Sequence, residues 1–189
     1  MRDEKIALDL LQKLDNRFKA TGRGLKPIFY NILRENFFKA PASTKYHLNH
    51  EGGLLEHSLN VYFIFKETVE KYDLNISKDS IILCGLFHDI CKHDMYLKTE
   101  FGYKYNKKVK GHGTRSVKIL SRFFDLTDQE KKIIKYHMAL FGSELSYIEE
   151  YSTEELYEAI KEEPLVQIFA ACDMIATQME DKDGKRKQK

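Results

Sequence analysis

The chain has 189 residues, of which 42% are hydrophobic and 32% charged, and its formal net charge is +2. This length and composition fit one globular domain with its own core, and so small a charge gives no reason to expect a nucleic-acid or membrane partner. No uncharged apolar run reaches the about 18 residues of a membrane span, and the charged first residues do not resemble a signal peptide. We therefore expect a cytoplasmic protein.

The three cysteines, Cys84, Cys91 and Cys172, lie in or beside apolar segments. Their odd number and their spacing exclude a disulfide framework and a paired-cysteine zinc site. We expect buried free thiols.

The first part of the chain has the apolar spacing of helices. Hydrophobic residues recur at helical intervals from Ile6 to Phe18, and Gly22 and Gly24 end that segment. Pro27 is well placed to open a second helix, and Pro41 closes the stretch after it.

The central part predicts two longer helices and a hairpin. One helix is expected over 53–72, and another begins at Ser77 or Asp79 and runs into His88. Residues 96–106 alternate imperfectly and predict a small β-hairpin.

The last part predicts four further helices. One covers about 114–124, and a second follows the capping-box sequence 127–130 and reaches about residue 137. Two more begin at Ser152 and Pro164.

Together these elements predict an all-α bundle with one small β-hairpin near 96–106. We expect a single domain over 1–180 and a flexible basic tail over 181–189.

Two aspartates stand in apolar surroundings, Asp89 after Leu86-Phe87 and Asp173 after an apolar run. A buried carboxylate is costly unless it is paired or binds a metal. Each could lie on a mixed face, neutralise a buried base, or bind an ion together with some of the seven histidines. Spacing does not tell which histidines meet.

The order His57, then His88-Asp89, then Asp173 resembles the pattern that names the HD superfamily of metal-dependent phosphohydrolases. Residues 47–58, His-Leu-Asn-His-Glu-Gly-Gly-Leu-Leu-Glu-His-Ser, resemble a segment of its bacterial and phage members that also occurs in HD-type 3′–5′ exoribonucleases.

The resemblance extends over roughly 40–180. Residues 88–92 are similar to the family's His-Asp-Ile-Gly-Lys, with Cys91 where glycine is usual. Gly111-His112, Tyr136-His137 and Ala171-Cys172-Asp173 follow in the family's order.

This resemblance implies a site for two divalent metal ions, drawn from Mn, Fe, Co, Ni and Mg, with Asp89 as the bridge. The implied ligands are His57, His88, Asp89, His112, His137 and Asp173.

The implied reaction is hydrolysis of a phosphomonoester or phosphodiester by metal-activated hydroxide. The expected substrate is a phosphorylated small molecule, a nucleotide or a short oligonucleotide, and a 3′–5′ exoribonuclease is the leading variant. Lys92 and His47 are implied to act beside Asp89, Lys92 by binding phosphate and His47 by binding phosphate or donating a proton.

Substrate contacts are also expected outside the motifs. Residues 98–110 are rich in lysine and aromatic residues, among them Tyr103 and Lys104, and could form a rim for a nucleotide. A solvated loop is the alternative. Arg115 is a second candidate phosphate contact.

Two other functions share these motifs. The same six ligands serve mixed-valence di-iron oxygenases of the superfamily, so an oxidoreductase is the first alternative. The second is a nucleotide-sensing module that has lost catalysis.

Overall fold

The computed structural model describes residues 2–19, 25–44, 48–106, 112–139 and 151–187, with side chains to residue 181. His47 and residues 107–110 of the predicted rim lie outside these ranges.

In these ranges the chain forms α-helices, short 3₁₀ turns and one two-stranded hairpin. The helices are α1 Arg2–Lys13, α2 Leu25–Glu35, α3 Gly53–Tyr72, α4 Lys78–Phe87, α5 Gly113–Leu120, α6 Asp128–Lys135, α7 Thr153–Glu162 and α8 Leu165–Lys187. The 3₁₀ turns are Asp15–Arg17, Phe37–Lys39 and Ile90–Asp94, and the strands are β1 Tyr96–Thr99 and β2 Gly102–Tyr105. The predicted all-α class with a small hairpin is confirmed.

The long helix α3 is the centre of the bundle and packs against α1, α4 and α8. It begins and ends where the sequence predicts. Gly52 precedes it with a left-handed φ of 86°, a conformation that glycine adopts without strain. A Cβ added at Gly53 would lie 2.0 Å from the carbonyl oxygen of Leu48, so the entry to α3 needs glycine at this position too.

Helix α4 is buried along most of its length against α3. The hydroxyl of Ser77 accepts a hydrogen bond of 3.0 Å from the backbone N–H of Ser80, which makes Ser77 the N-cap. A Cβ at Gly85 would lie 2.7 Å from Cα of Tyr62 on α3. The missing side chain at Gly85 therefore sets how closely the two helices approach.

A buried carboxylate, that of Glu130, connects the start of the chain to α4 and α6. Arg17 Nη2 lies 2.9 and 3.0 Å from the two Glu130 oxygens, and Ser80 Oγ donates to Oε1 at 2.7 Å. The N–H of Thr127 donates to Oε2 at 2.8 Å, and the Thr127 hydroxyl accepts from the N–H of Glu130. The predicted capping box is thus present and also binds two distant elements.

The hairpin follows the third 3₁₀ turn directly. Its register pairs Tyr96 with Tyr105 and Thr99 with Gly102. Lys98 forms an ion pair of 2.9 Å with Glu51, which anchors β1 to the segment before α3.

Some predicted boundaries differ from the structure. Helix α2 begins at Leu25, two residues before Pro27, which still lies in the first turn. Helix α5 ends at Leu120 instead of about 124 because Phe124 turns away to form a β-bridge with Phe18. Residues 181–187 of the predicted tail continue helix α8.

The three cysteines are buried and form no disulfide, as predicted. Across the described ranges, no helix is long and apolar enough to cross a membrane.

Candidate metal centre

Five helices bring six predicted ligands to one place. His57 lies on α3, His88 and Asp89 directly follow α4, and Asp173 lies on α8. His112 immediately precedes α5, and His137 lies two residues after α6. Five of the six are buried, whereas the side chain of His112 is 17% exposed.

The first group of ligand atoms lies around Oδ2 of Asp89. His57 Nε2 is 3.1 Å from Asp173 Oδ1 and 3.9 Å from Asp89 Oδ2. His88 Nε2 is 3.6 Å from the same Asp89 oxygen.

The second group lies around the other oxygen of Asp89. Oδ1 is 3.0 Å from His112 Nε2 and 3.4 Å from His137 Nε2. The two imidazole nitrogens are 3.1 Å apart. One carboxylate therefore stands between two sets of ligand atoms.

The atoms that face each other fit a cation. Nε2 of His88 is fully buried and has no hydrogen-bond partner within the described part of the chain, which is rare for a buried polar atom. Three sets of side chains bring possible ligand atoms within 4.8 Å of one another: His57, His88 and Asp173; His88, Asp89 and His137; and Asp89, Cys91 and His112. Neutral imidazoles with carboxylates suit divalent transition metals, so these residues could hold a metal ion.

Main-chain carbonyls orient two of the four histidines. Nδ1 of His88 lies 3.1 Å from the carbonyl oxygen of Gly85, and Nδ1 of His137 lies 2.7 Å from that of Ile134. Each acceptor stands three residues earlier, at the end of a helix. An N–H at Nδ1 leaves the Nε2 lone pair free to face inward.

Side chains orient the other two histidines. Nδ1 of His57 lies 3.1 and 3.2 Å from the two oxygens of Glu180, and Asn60 Nδ2 donates to Glu180 Oε1 at 2.8 Å. Nδ1 of His112 lies 3.3 Å from the sulfur of Cys91. Cys91, which replaces the family's usual glycine, therefore lies behind a candidate ligand histidine.

Burial and the carboxylates shift the pKa values of the site in opposite directions. Burial disfavours protonation of His57, but hydrogen bonds to Asp173 and Glu180 outweigh it and raise the pKa of His57 to about 10. Burial lowers the pKa of His88 to about 4. Burial also opposes the charge of Asp89, yet Lys92 and the neighbouring histidines hold its pKa well below the usual value. The carboxylates therefore favour a protonated His57, whereas burial favours a neutral His88.

Lys92 lies at the edge of the same carboxylate. Its Nζ is 2.6 Å from Asp89 Oδ2, and its side chain is 12% exposed. Burial disfavours its charge, but Asp89 outweighs that effect and raises the pKa of Lys92. Lys92 lies on the 3₁₀ turn Ile90–Asp94, and the structure thus places it beside the six predicted ligands.

Arg115, Tyr103 and Lys104 are the other predicted substrate contacts within the described residues. Arg115 donates to the carbonyl oxygen of Cys91 and pairs with Asp94 at 2.8 Å. Tyr103 is half-buried and Lys104 exposed on β2. His93, which directly follows Lys92, has a side chain that is only 16% exposed, and burial lowers its pKa.

Sequence reasoning missed Glu180 and Asn60. A signal existed, because Glu180 follows Asp173 by seven residues, which places both on one face of α8 two turns apart. Asn60 follows His57 by three residues on α3, which likewise puts the two on one face.

Comparison with known proteins gives one family and one relative. A family model described as HD domain matches residues 54–178. A dihydroneopterin 2′,3′-cyclic phosphate phosphodiesterase of Methanocaldococcus jannaschii is 32% identical over 106 residues, which make up 54% of this chain and 40% of that protein. The chain thus aligns with less than half of the relative's length. No solved structure matches.

Proposed function

Because this chain belongs to the HD-domain family, we propose that it is a metal-dependent phosphohydrolase that cleaves a phosphomonoester or phosphodiester of a nucleotide or short oligonucleotide. The observation that carries the proposal is the position of Asp89. Its two oxygens face different groups of imidazoles, with His112 Nε2 at 3.0 Å from Oδ1 and His88 Nε2 at 3.6 Å from Oδ2. A carboxylate so placed suits a bridge between two cations.

In this proposal the centre holds two divalent ions. One would be held by His57, His88, Asp89 and Asp173, and the other by Asp89, His112 and His137. When bound, such ions lower the pKa of a water molecule and neutralise phosphate oxygens. Mn, Fe, Co, Ni and Mg are the candidates.

The exposed fractions indicate where the substrate enters. Among the six ligands and Lys92, only His112, at 17%, and Lys92, at 12%, have side chains more than a few per cent exposed. The phosphate group therefore approaches from their side. There the ammonium of Lys92 binds a phosphate oxygen and stabilises the charge that develops on it.

The hairpin begins four residues after Lys92, and β1 contacts the 3₁₀ turn that carries Lys92. Tyr103 and Lys104 on β2 are proposed to contact the base and the phosphate of the substrate. His47 is proposed as a phosphate contact or as the proton donor to the leaving oxygen.

A diester substrate is favoured over a monoester. The support is the relative from Methanocaldococcus jannaschii, which is a cyclic phosphate phosphodiesterase. A 2′,3′-cyclic nucleotide is accordingly the first substrate to test, and a single-stranded oligoribonucleotide tests the exoribonuclease variant.

The test measures hydrolysis of a 2′,3′-cyclic nucleotide, a nucleoside monophosphate and an oligoribonucleotide by protein loaded with each candidate metal. We expect the wild-type protein to turn over at least one of these substrates. Asp89→Asn should abolish that turnover and also the binding of one of the two ions. Asp128→Asn is the matched control, because Asp128 is exposed on α6 and pairs only with Lys131 among the described residues. It should behave like the wild type.

Three results would count against the proposal. Full activity of Asp89→Asn would show that Asp89 is no bridge. Oxygen uptake by iron-loaded protein without phosphate release would support the oxygenase instead. Metal-loaded protein that binds a nucleotide without turning over any substrate would support a sensor.

A further inference from the structure

Of the four candidate ligand histidines, His57 has a buried carboxylate behind it. Glu180 is buried, and its oxygens lie 3.1 and 3.2 Å from His57 Nδ1. On the opposite edge of the ring, Nε2 faces Asp173 Oδ1 at 3.1 Å. Two carboxylates that lie two turns apart on α8 thus hold one imidazole between them.

The carboxylate of Glu180 is itself fixed. Asn60 Nδ2 donates to Oε1 at 2.8 Å, and Asn60 lies one turn after His57 on α3. A buried carboxylate costs free energy that an apolar side chain of similar size would not. A role toward the metal ligand accounts for that cost.

The acceptors behind the other histidines are weaker. Those of His88 and His137 are neutral main-chain carbonyls. That of His112 is the sulfur of Cys91, at 3.3 Å. A cysteine sulfur is a weak hydrogen-bond acceptor compared with a carboxylate.

A carboxylate behind a metal-binding histidine orients the ring and increases its basicity. We propose that Glu180 is a positioning residue for His57, and that it makes the group of His57, His88 and Asp173 the tighter of two metal positions. The group of His112 and His137, backed by a thiol and a carbonyl, is the weaker position. This inference rests on the metal centre of the proposed function.

The test is calorimetric titration of chelator-treated protein with Mn²⁺, which resolves the two binding steps. Glu180→Met keeps the shape of the side chain and removes its acceptor, so the tight step should weaken by about 10–100-fold while the weak step stays within about twofold. Glu180→Gln should lose less, because its amide oxygen still accepts from Nδ1–H. Glu158→Met, on the exposed Glu158 of α7, is the matched control and should leave both steps unchanged.

A complementary variant addresses the other position. Cys91→Ala removes the sulfur behind His112 and should weaken only the weak step. Thermal unfolding of the metal-free variants is measured in parallel. A purely structural role of Glu180 would lower the melting temperature and leave the tight step unchanged.

The outcomes separate the two proposals. Wild-type protein that binds no Mn²⁺ would overturn the metal centre and this inference together. Wild-type binding in two steps with an unaltered tight step in Glu180→Met would overturn this inference alone. If Glu180→Met does not fold, Glu180→Gln decides, and an unchanged tight step in that variant overturns the inference.

Discussion

Replacing Glu130 by alanine removes a buried carboxylate far from any proposed ligand atom. Glu130 is 0% exposed and accepts hydrogen bonds from Arg17 at 2.9 Å, Ser80 at 2.7 Å and the backbone of Thr127 at 2.8 Å. Alanine leaves all three donors without this acceptor, and it leaves the guanidinium of Arg17 without its carboxylate.

The expected loss in the free energy of unfolding follows from these contacts. Removing one partner of a buried ion pair costs about 3–5 kcal/mol. The capping hydrogen bond from the N–H of Thr127 to Glu130 is worth about 1 kcal/mol. The side chain of Arg17 is 21% exposed, so water reaches it and the cost falls toward the lower limit. We expect a total of about 3–4 kcal/mol, a large part of the roughly 5–15 kcal/mol that stabilises a typical domain.

Urea unfolding of metal-free protein, followed by far-ultraviolet circular dichroism, measures this change. Glu162→Ala is the matched control, because Glu162 is 60% exposed and pairs with Lys132 at 2.6 Å. An exposed ion pair contributes at most about 1 kcal/mol. A loss of less than about 1 kcal/mol in Glu130→Ala would refute the reasoning from the buried network.

Three further predictions concern the centre. Lys92→Ala should keep bound metal and lower kcat by about 100-fold, measured by metal analysis and steady-state kinetics; equal loss of metal would contradict the assignment. Gly85→Ala should press a Cβ against Tyr62, which lowers the free energy of unfolding by about 1–3 kcal/mol and offsets the gain of about 1 kcal/mol in helix propensity. The shift should also weaken Mn²⁺ binding in calorimetry, whereas an unchanged affinity would show that α3 and α4 adjust freely. Because the pKa of His57 is raised to about 10, a metal ion must displace a proton from His57 at neutral pH. The affinity for Mn²⁺ should therefore rise from pH 7 to 9 by up to about tenfold per pH unit. An affinity that does not change with pH would contradict this.

Local signals predicted α3 and α4, two of the five helices that carry the centre. Gly52 has a left-handed φ of 86°, and a Cβ on Gly53 would lie 2.0 Å from the carbonyl oxygen of Leu48, so both positions favour glycine. Ser77 caps α4 through a bond to a residue only three positions away. Such signals lie within a few residues of the boundary, so the sequence alone shows them.

The sequence could not show contacts made across the fold. Phe124 leaves α5 because it pairs with Phe18, more than a hundred residues earlier. The position of the Cys91 thiol behind His112 depends on how α5 docks. Glu180 lies beside His57 only because α8 packs on α3.

For the candidate site, motif order predicted which residues meet. The structure brings the six predicted ligands and Lys92 together, although their roles stay predictions. Arg115 instead has local partners, Asp94 and the Cys91 carbonyl. The predicted catalytic role of His47 and the cytoplasmic location also stay predictions.

The supports behind the four histidines differ in how mutation can reach them. For His88 and His137 the acceptor is a main-chain carbonyl three residues earlier, which every amino acid supplies as long as the helix end keeps its shape. For His57 and His112 the acceptor is the side chain of Glu180 or Cys91, which a single codon change can alter. The acceptors behind His88 and His137 are therefore present whenever the fold is. Those behind His57 and His112 can change by mutation while every candidate ligand stays in place.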